Sequence, residues 1–156
     1  HRDKEALLEA LRSGLIDTIG TDHAPHLLEE KMTGDYFTSK SGFPSVQHSL
    51  DIMVNVMGKE QLPLIVKLMC HNPAVLYQID RRGFIREGYH ADLALIDLNA
   101  IHRISCKGEL SKCGWTPYEG CEIHSQVTHT FVNGNLVYEN GTFHEEYKGE
   151  RLVFNR

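Results

Sequence analysis

The 156 residues are 41% hydrophobic and 24% charged, with Lys+Arg 16 against Asp+Glu 21, a balance that suits a globular chain with a core of normal size. A formal net charge of -5 and the lack of a Lys/Arg stripe exclude a nucleic-acid binder. No apolar run nears the roughly 18 residues that span a bilayer, and these residues show no signal pattern, so no membrane association is expected. Cys70, Cys106, Cys113 and Cys121 are too few and too loosely placed for a disulfide scaffold and point to a reducing compartment, the cytoplasm. The 10 His exceed common usage and raise the question of a metal site.

In chain order, Asp3 to Gly14 has an apolar stripe of Leu7, Leu8 and Leu11, with Asp3 as a cap and Gly14 at the C′ position, which predicts a helix. Leu15 to Thr21 is short and rich in β-branched residues, and predicts a buried strand of a parallel sheet. It runs into the polar cluster Asp22-His23-Ala24-Pro25-His26, and Leu27 to Phe43 follows as a long loop, of a length that in compact domains is functional or disordered. Val46, Leu50, Met53, Val54 and Met57 share one helix face that Gly58 ends. A second helix starts near Leu62, with Leu64, Ile65, Leu68 and Met69 inward. Asn72 as cap and Pro73 at the first position start a third, ending near Gln78.

After Gly83 the character changes to β. Asp92 to Asp97, Ile101 to Ser105 and Gln126 to Val132 read as strands. Asn133-Gly134 and Asn140-Gly141 are hairpin turns, because both central residues of a type I′ turn need positive φ. The chain is thus an α/β piece to about residue 80 and a β-rich piece to about 145.

The Asp22–His26 cluster places two imidazoles and a carboxylate at the C-terminal end of the predicted parallel strand, where α/β enzymes put their chemistry. A carboxylate there can ligate a divalent metal or move a proton. By spacing alone, a surface turn explains the cluster as well. The other histidines show no metal-ligand spacing: His48 falls on a polar helix face and His71, His90, His102, His124, His129 and His144 on ends, turns and hairpins. Cys106, Cys113 and Cys121 lack a zinc-knuckle spacing and read as free thiols, Arg81-Arg82 as a solvated turn, and Met53, Met57 and Met69 as helix core.

Taken together, Asp22-His23-Ala24-Pro25-His26, Glu29-Glu30-Lys31, Gly42-Phe43-Pro44, Asn72-Pro73-Ala74, Gly83 through Leu93, and Thr116-Pro117-Tyr118-Glu119-Gly120 resemble dihydroorotase of the amidohydrolase superfamily, in the family's order. The stretch around Ala91-Asp92-Leu93 marks only the superfamily, whereas Asp-His-Ala-Pro-His is narrower. The resemblance implies an α/β fold: the last part of a (β/α)8 TIM barrel over residues 1–80, then part of a small β-sandwich and a C-terminal tail over 81–156. It implies a cytoplasmic enzyme of pyrimidine biosynthesis that interconverts N-carbamoyl-L-aspartate and L-dihydroorotate at a centre of one or two zinc ions. Asp22 matches the metal-ligating aspartate that also moves the proton, His26 the residue that binds the substrate carboxylate, and Ser41 and Gly42 the loop whose backbone approaches the pyrimidine ring.

Two departures stand out. Ser45 occupies a position that is usually Gly, where a serine suits a helix cap, and Cys113 and Trp115 stand where small polar residues are common; neither of that pair receives a role. His23 is assigned no metal by the resemblance. The family's first-strand His-x-His, bridging carboxylated Lys, two later His ligands, and the Arg and Asn that accompany His26 are all missing, and Lys4 and Lys31 stand in the wrong context to replace the Lys. One Asp cannot hold a catalytic zinc, which takes three protein ligands. The expectation is therefore a C-terminal portion, inactive alone, whose partners are a small-molecule substrate, the rest of the parent barrel and a second copy in a homodimer. The alternatives are a non-catalytic dihydroorotase-like module assembling with a transcarbamoylase, and a hydantoinase, dihydropyrimidinase or allantoinase relative.

Overall fold

The computed structural model describes residues 2–155 and holds a helical part followed by two antiparallel sheets. Helix α1 spans Arg2–Arg12. Asp3 lies inside its first turn beside Glu5, where both carboxylates favour the helix dipole, instead of capping it. Gly14, at φ 77, closes the helix in a Schellman arrangement: its own N–H bonds Leu11 O, and that of Leu15 reaches back to Ala10 O at 2.9 Å. Of the apolar stripe only Leu11 is buried, while Leu7 is 59% exposed.

Residues 15–21 join no ladder, which corrects the predicted strand. A parallel strand needs parallel neighbours, and every ladder among the described residues is antiparallel. Helix geometry holds the segment instead. Helix α4 (Leu62–Val66) passes through a π-turn at Lys67–His71 into α5 (Asn72–Leu76), so residues 62–76 form one continuous helical run. Asn72 is therefore in mid-run and is no cap, a second correction. Pro73 has no N–H, and the Asn72 N–H bonds Lys67 O, five residues back, so Leu68 O is left without a helical donor. Ile19 N–H takes that carbonyl at 3.0 Å, and the Asn72 side-chain amide donates to Asp17 O at 2.6 Å.

Helix α3 spans Ser49–Met57 and ends at Gly58, whose φ of 95 suits a residue without Cβ. Its Val54 and Met57 form the core with Ile65 of α4, and Leu50, Met53, Leu62, Leu64, Met69, Ile96 and Leu98 pack around them. Val46 precedes the helix and is exposed, so the predicted face begins at Leu50.

The larger sheet has the order β1 (Leu93–Asp97), β4 (Gln126–Val132), β5 (Asn135–Glu139), β6 (Thr142–Phe143). Asn133 and Gly134, at φ 51 and 83, join β4 to β5, and Asn140 and Gly141, at φ 45 and 92, join β5 to β6, both as the Asn-Gly signal predicts. A separate two-stranded sheet pairs β2 (His102–Arg103) with β3 (Glu122–Ile123), so only two residues of the strand expected over 101–105 are paired. Ser125 and Asp51 carry a buried 2.7 Å bond that ties this sheet to α3. The tail returns to the helices through a bridge between Ile79 and Phe154.

Candidate functional site

Asp22 is a non-glycine residue in the left-handed region, at φ 44, and its side chain is exposed. The turn it opens is clamped from two sides. From residues 43–46, Phe43 O accepts Ala24 N–H at 3.0 Å, and Ser45 Oγ donates to Thr21 O at 2.7 Å. The His23 Nδ1 accepts the backbone N–H groups of Ser45 and Val46, at 3.0 and 3.2 Å. That nitrogen needs its lone pair for both bonds, so the ring proton sits on Nε2 and His23 is a brace, not a spare ligand. From the far side, Trp115 Nε1 donates to His26 O at 2.8 Å.

His26 keeps its imidazole partly open, with Nδ1 3.8 Å from Glu30 Oε2. Glu30 is itself fixed, accepting Leu27 N–H at 2.8 Å across the first turn of α2 (Leu28–Lys31). Lys31 Nζ donates to Lys40 O and Gly42 O, each at 2.5 Å, and so holds the carbonyls on either side of Ser41. Gly42, at φ 83, lies so close to the turn that a Cβ on it would stand 2.5 Å from Ala24 Cβ. The structure thus brings Gly42 and Ser41 against the turn that carries Asp22 and His26.

The loop that delivers Trp115 is anchored at the entry to α3. Gln47 bonds Gly108 O and Leu110 N–H, each at 2.8 Å, and His48 Nε2 meets Glu109 Oε1 at 2.5 Å with both side chains largely buried. His48 is therefore paired, not solvated. Tyr118 packs edge-on against both Phe43 and His48, and its burial raises the phenol above its ordinary range. Sequence reasoning missed Ser45, Lys31, Gln47, Glu109 and Trp115 as site builders. Two of them, Ser45 and Trp115, had shown as departures, but their partners lie 24 and 89 residues away.

Arg82 is not solvated either: its guanidinium forks between Asp92 and Asn133 Oδ1, and Asn133 N–H donates to Asp92 Oδ1 at 2.8 Å. The Ala91-Asp92-Leu93 stretch is thereby structural, tying the start of β1 to the first hairpin turn.

Among the described residues no three His, Cys, Asp or Glu side chains converge on a possible metal position. Asp22 stands as a single carboxylate, so these residues alone do not fit a catalytic zinc. All four cysteines are free thiols, and no described helix is long and apolar enough to cross a membrane.

The amidohydrolase family model matches residues 1–137. The chain is 33% identical over 153 residues to a dihydroorotase of Pyrococcus horikoshii, covering 97% of this chain and 35% of that protein. It is 37% identical over 144 residues to a dihydroorotase of Lactobacillus leichmannii, covering 90% and 33%. Among solved structures it superposes on a D-hydantoinase (dihydropyrimidinase) from Thermus sp. with a TM-score of 0.83 and 27% identity, over 94% of this chain and 32% of that one. An L-hydantoinase (dihydropyrimidinase) from Arthrobacter aurescens gives 0.77 and 31%, over 88% and 32%. The chain spans about a third of the length of these relatives. The dihydroorotase resemblance carried by the Asp22–His26 string and its companions is thus met by relatives of that name, and the chain belongs to the amidohydrolase family.

Proposed function

We propose that these residues are the C-terminal part of a dihydroorotase-type cyclic amidohydrolase, with residues 1–80 completing a (β/α)8 barrel and 81–156 contributing to a small β-sandwich. The observation that carries this reading is the braced Asp22–His26 turn with Gly42 packed against Ala24. It presents an exposed carboxylate, a partly open imidazole and an uncrowded backbone at one place. Asp22 would move a proton between the hydroxyl that adds to the ring carbonyl and the ring nitrogen that leaves. His26 would donate an N–H to the substrate carboxylate, and the backbone at Ser41 and Gly42 would line the ring. The zinc that this reading implies would take Asp22 as one ligand and its other ligands from outside these residues.

The test is ring opening of L-dihydroorotate by the full-length enzyme. Asp22→Ala is expected to lower turnover by about 10²–10⁴-fold or more, as for other proton-transfer groups, and near-parental activity would reject its role. His26→Ala is expected to raise KM steeply, and an unchanged KM would reject the dihydroorotase assignment. The second reading is a hydantoinase or dihydropyrimidinase, the names carried by the solved structures that superpose on these residues. Turnover of hydantoin or dihydrouracil with none of dihydroorotate would select it.

A further inference from the structure

We propose that Ser45 is a positioning residue for Asp22, holding the residues on both sides of it. The proposal rests on the reading of Asp22 as the proton-transfer group. Asp22 has φ 44, a conformation that persists in a non-glycine residue only where its surroundings over-determine it. The orientation of the Thr21 carbonyl sets one end of that φ rotation, and Ser45 Oγ holds this carbonyl at 2.7 Å. His23 follows Asp22 on the other side, and its Nδ1 is held by the Ser45 N–H at 3.0 Å and the Val46 N–H at 3.2 Å. One residue, only 6% exposed, thus brackets the exposed carboxylate, with its hydroxyl on one side and its backbone N–H on the other. Pro44, buried and fixed in φ, sets the backbone that enters Ser45. Ser45 precedes the first residue of α3 by four positions and donates no cap to that helix. A carboxylate that collects a proton at one atom and delivers it to another is sensitive to displacements of about 1 Å, so this brace acts on turnover and leaves substrate affinity to His26.

Ser45→Ala and Ser45→Gly each delete the hydroxyl and keep the N–H bond to His23. In the full-length enzyme kcat is expected to fall about fivefold, the fold-change that one neutral hydrogen bond converts to, with KM for dihydroorotate unchanged. Ser45→Thr, which keeps the hydroxyl, is expected to restore kcat. Amide exchange measured by mass spectrometry over residues 19–26 is expected to quicken in both deletion variants. Parental kcat with parental exchange would overturn the proposal, as would kcat and KM worsening together with a lower Tm, the mark of a merely structural serine. Should Asp22→Ala retain turnover, the proton-transfer reading fails by itself, and the exchange measurement still decides whether Ser45 braces residues 21–24.

Discussion

Lys31 shows how a charged side chain can serve a site without touching its chemistry. Its ammonium is committed to two backbone carbonyls, those of Lys40 and Gly42, and so fixes the loop that faces the Asp22–His26 turn. Lys31→Met, which keeps the stem and deletes the donors, is expected to raise KM several-fold with a smaller change in kcat, as steady-state kinetics would show. Trp115→Phe keeps the ring bulk and loses one bond to His26 O, of about 1 kcal/mol. Its expected signature is also a KM increase, opposite to that of Ser45. The histidine excess resolves at this scale too. His26, His48, His124, His129 and His144 each lie within 4 Å of a carboxylate, and His71 stacks on Phe84 with centroids 4.4 Å apart. Among the described residues none of these imidazoles joins a group of three potential ligands at a metal position.

Among the elements, the π-turn carries the most structural consequence. Pro73 removes a helical donor, and the freed Leu68 carbonyl and the Asn72 amide together hold residues 17–19. Asn72→Ala is expected to cost about 1 kcal/mol in urea melts and to speed exchange at Ile19. Asn72-Pro73 reads locally as a helix start, because an amide cap and a proline at the first position are the usual signal. The signal failed because the helical run before it was already continuous and the amide found a better acceptor 55 residues away. The two Asn-Gly hairpins were legible for the opposite reason: a type I′ turn is decided by the φ of two adjacent residues, and nothing distant competes. The α3 core face was legible through its periodicity. Residues 15–21 were not, since a strand exists only in its partners. At the site, the residues that touch solvent, Asp22 and His26, were marked by their motif. Those that hold them, Ser45, Gln47, Glu109 and Trp115, depend on pairings no local pattern encodes.

At the scale of the molecule, one buried carboxylate and one ion-paired carboxylate pull stability in opposite directions with pH. Asp51 is only 7% exposed, and burial pushes its carboxyl above the ordinary range despite the Ser125 hydroxyl and the nearby His102 and His48. The folded chain therefore binds that proton more readily than the unfolded one, so this group's penalty at neutral pH is relieved as pH falls through its raised value. Burial also opposes ionisation of Asp92, but the Asn133 N–H and the Arg82 guanidinium outweigh it and hold that carboxyl below the ordinary range. Its contribution is present above about pH 4, the ordinary aspartate value, and is lost as pH falls through the lower folded value. Urea midpoints should thus hold or rise on mild acidification and drop below about pH 4. Asp51→Asn is expected to remove the rise, and a midpoint falling monotonically from neutral pH in the parent would contradict this account. Arg82→Ala leaves Asp92 and Asn133 unpaired and is expected to cost about 1–3 kcal/mol in the same melts, whereas Arg81→Ala, on an exposed pair with Asp80, is expected to cost well under 1 kcal/mol.

Trp115 is the single tryptophan of these 156 residues, and its indole N–H rests on the main chain of His26. Its emission depends on that hydrogen bond and on the polarity around the ring. Light from this indole therefore reports on the Asp22–His26 turn, and under the proposed function a titration of these residues with dihydroorotate or carbamoyl aspartate would follow occupancy there without a label.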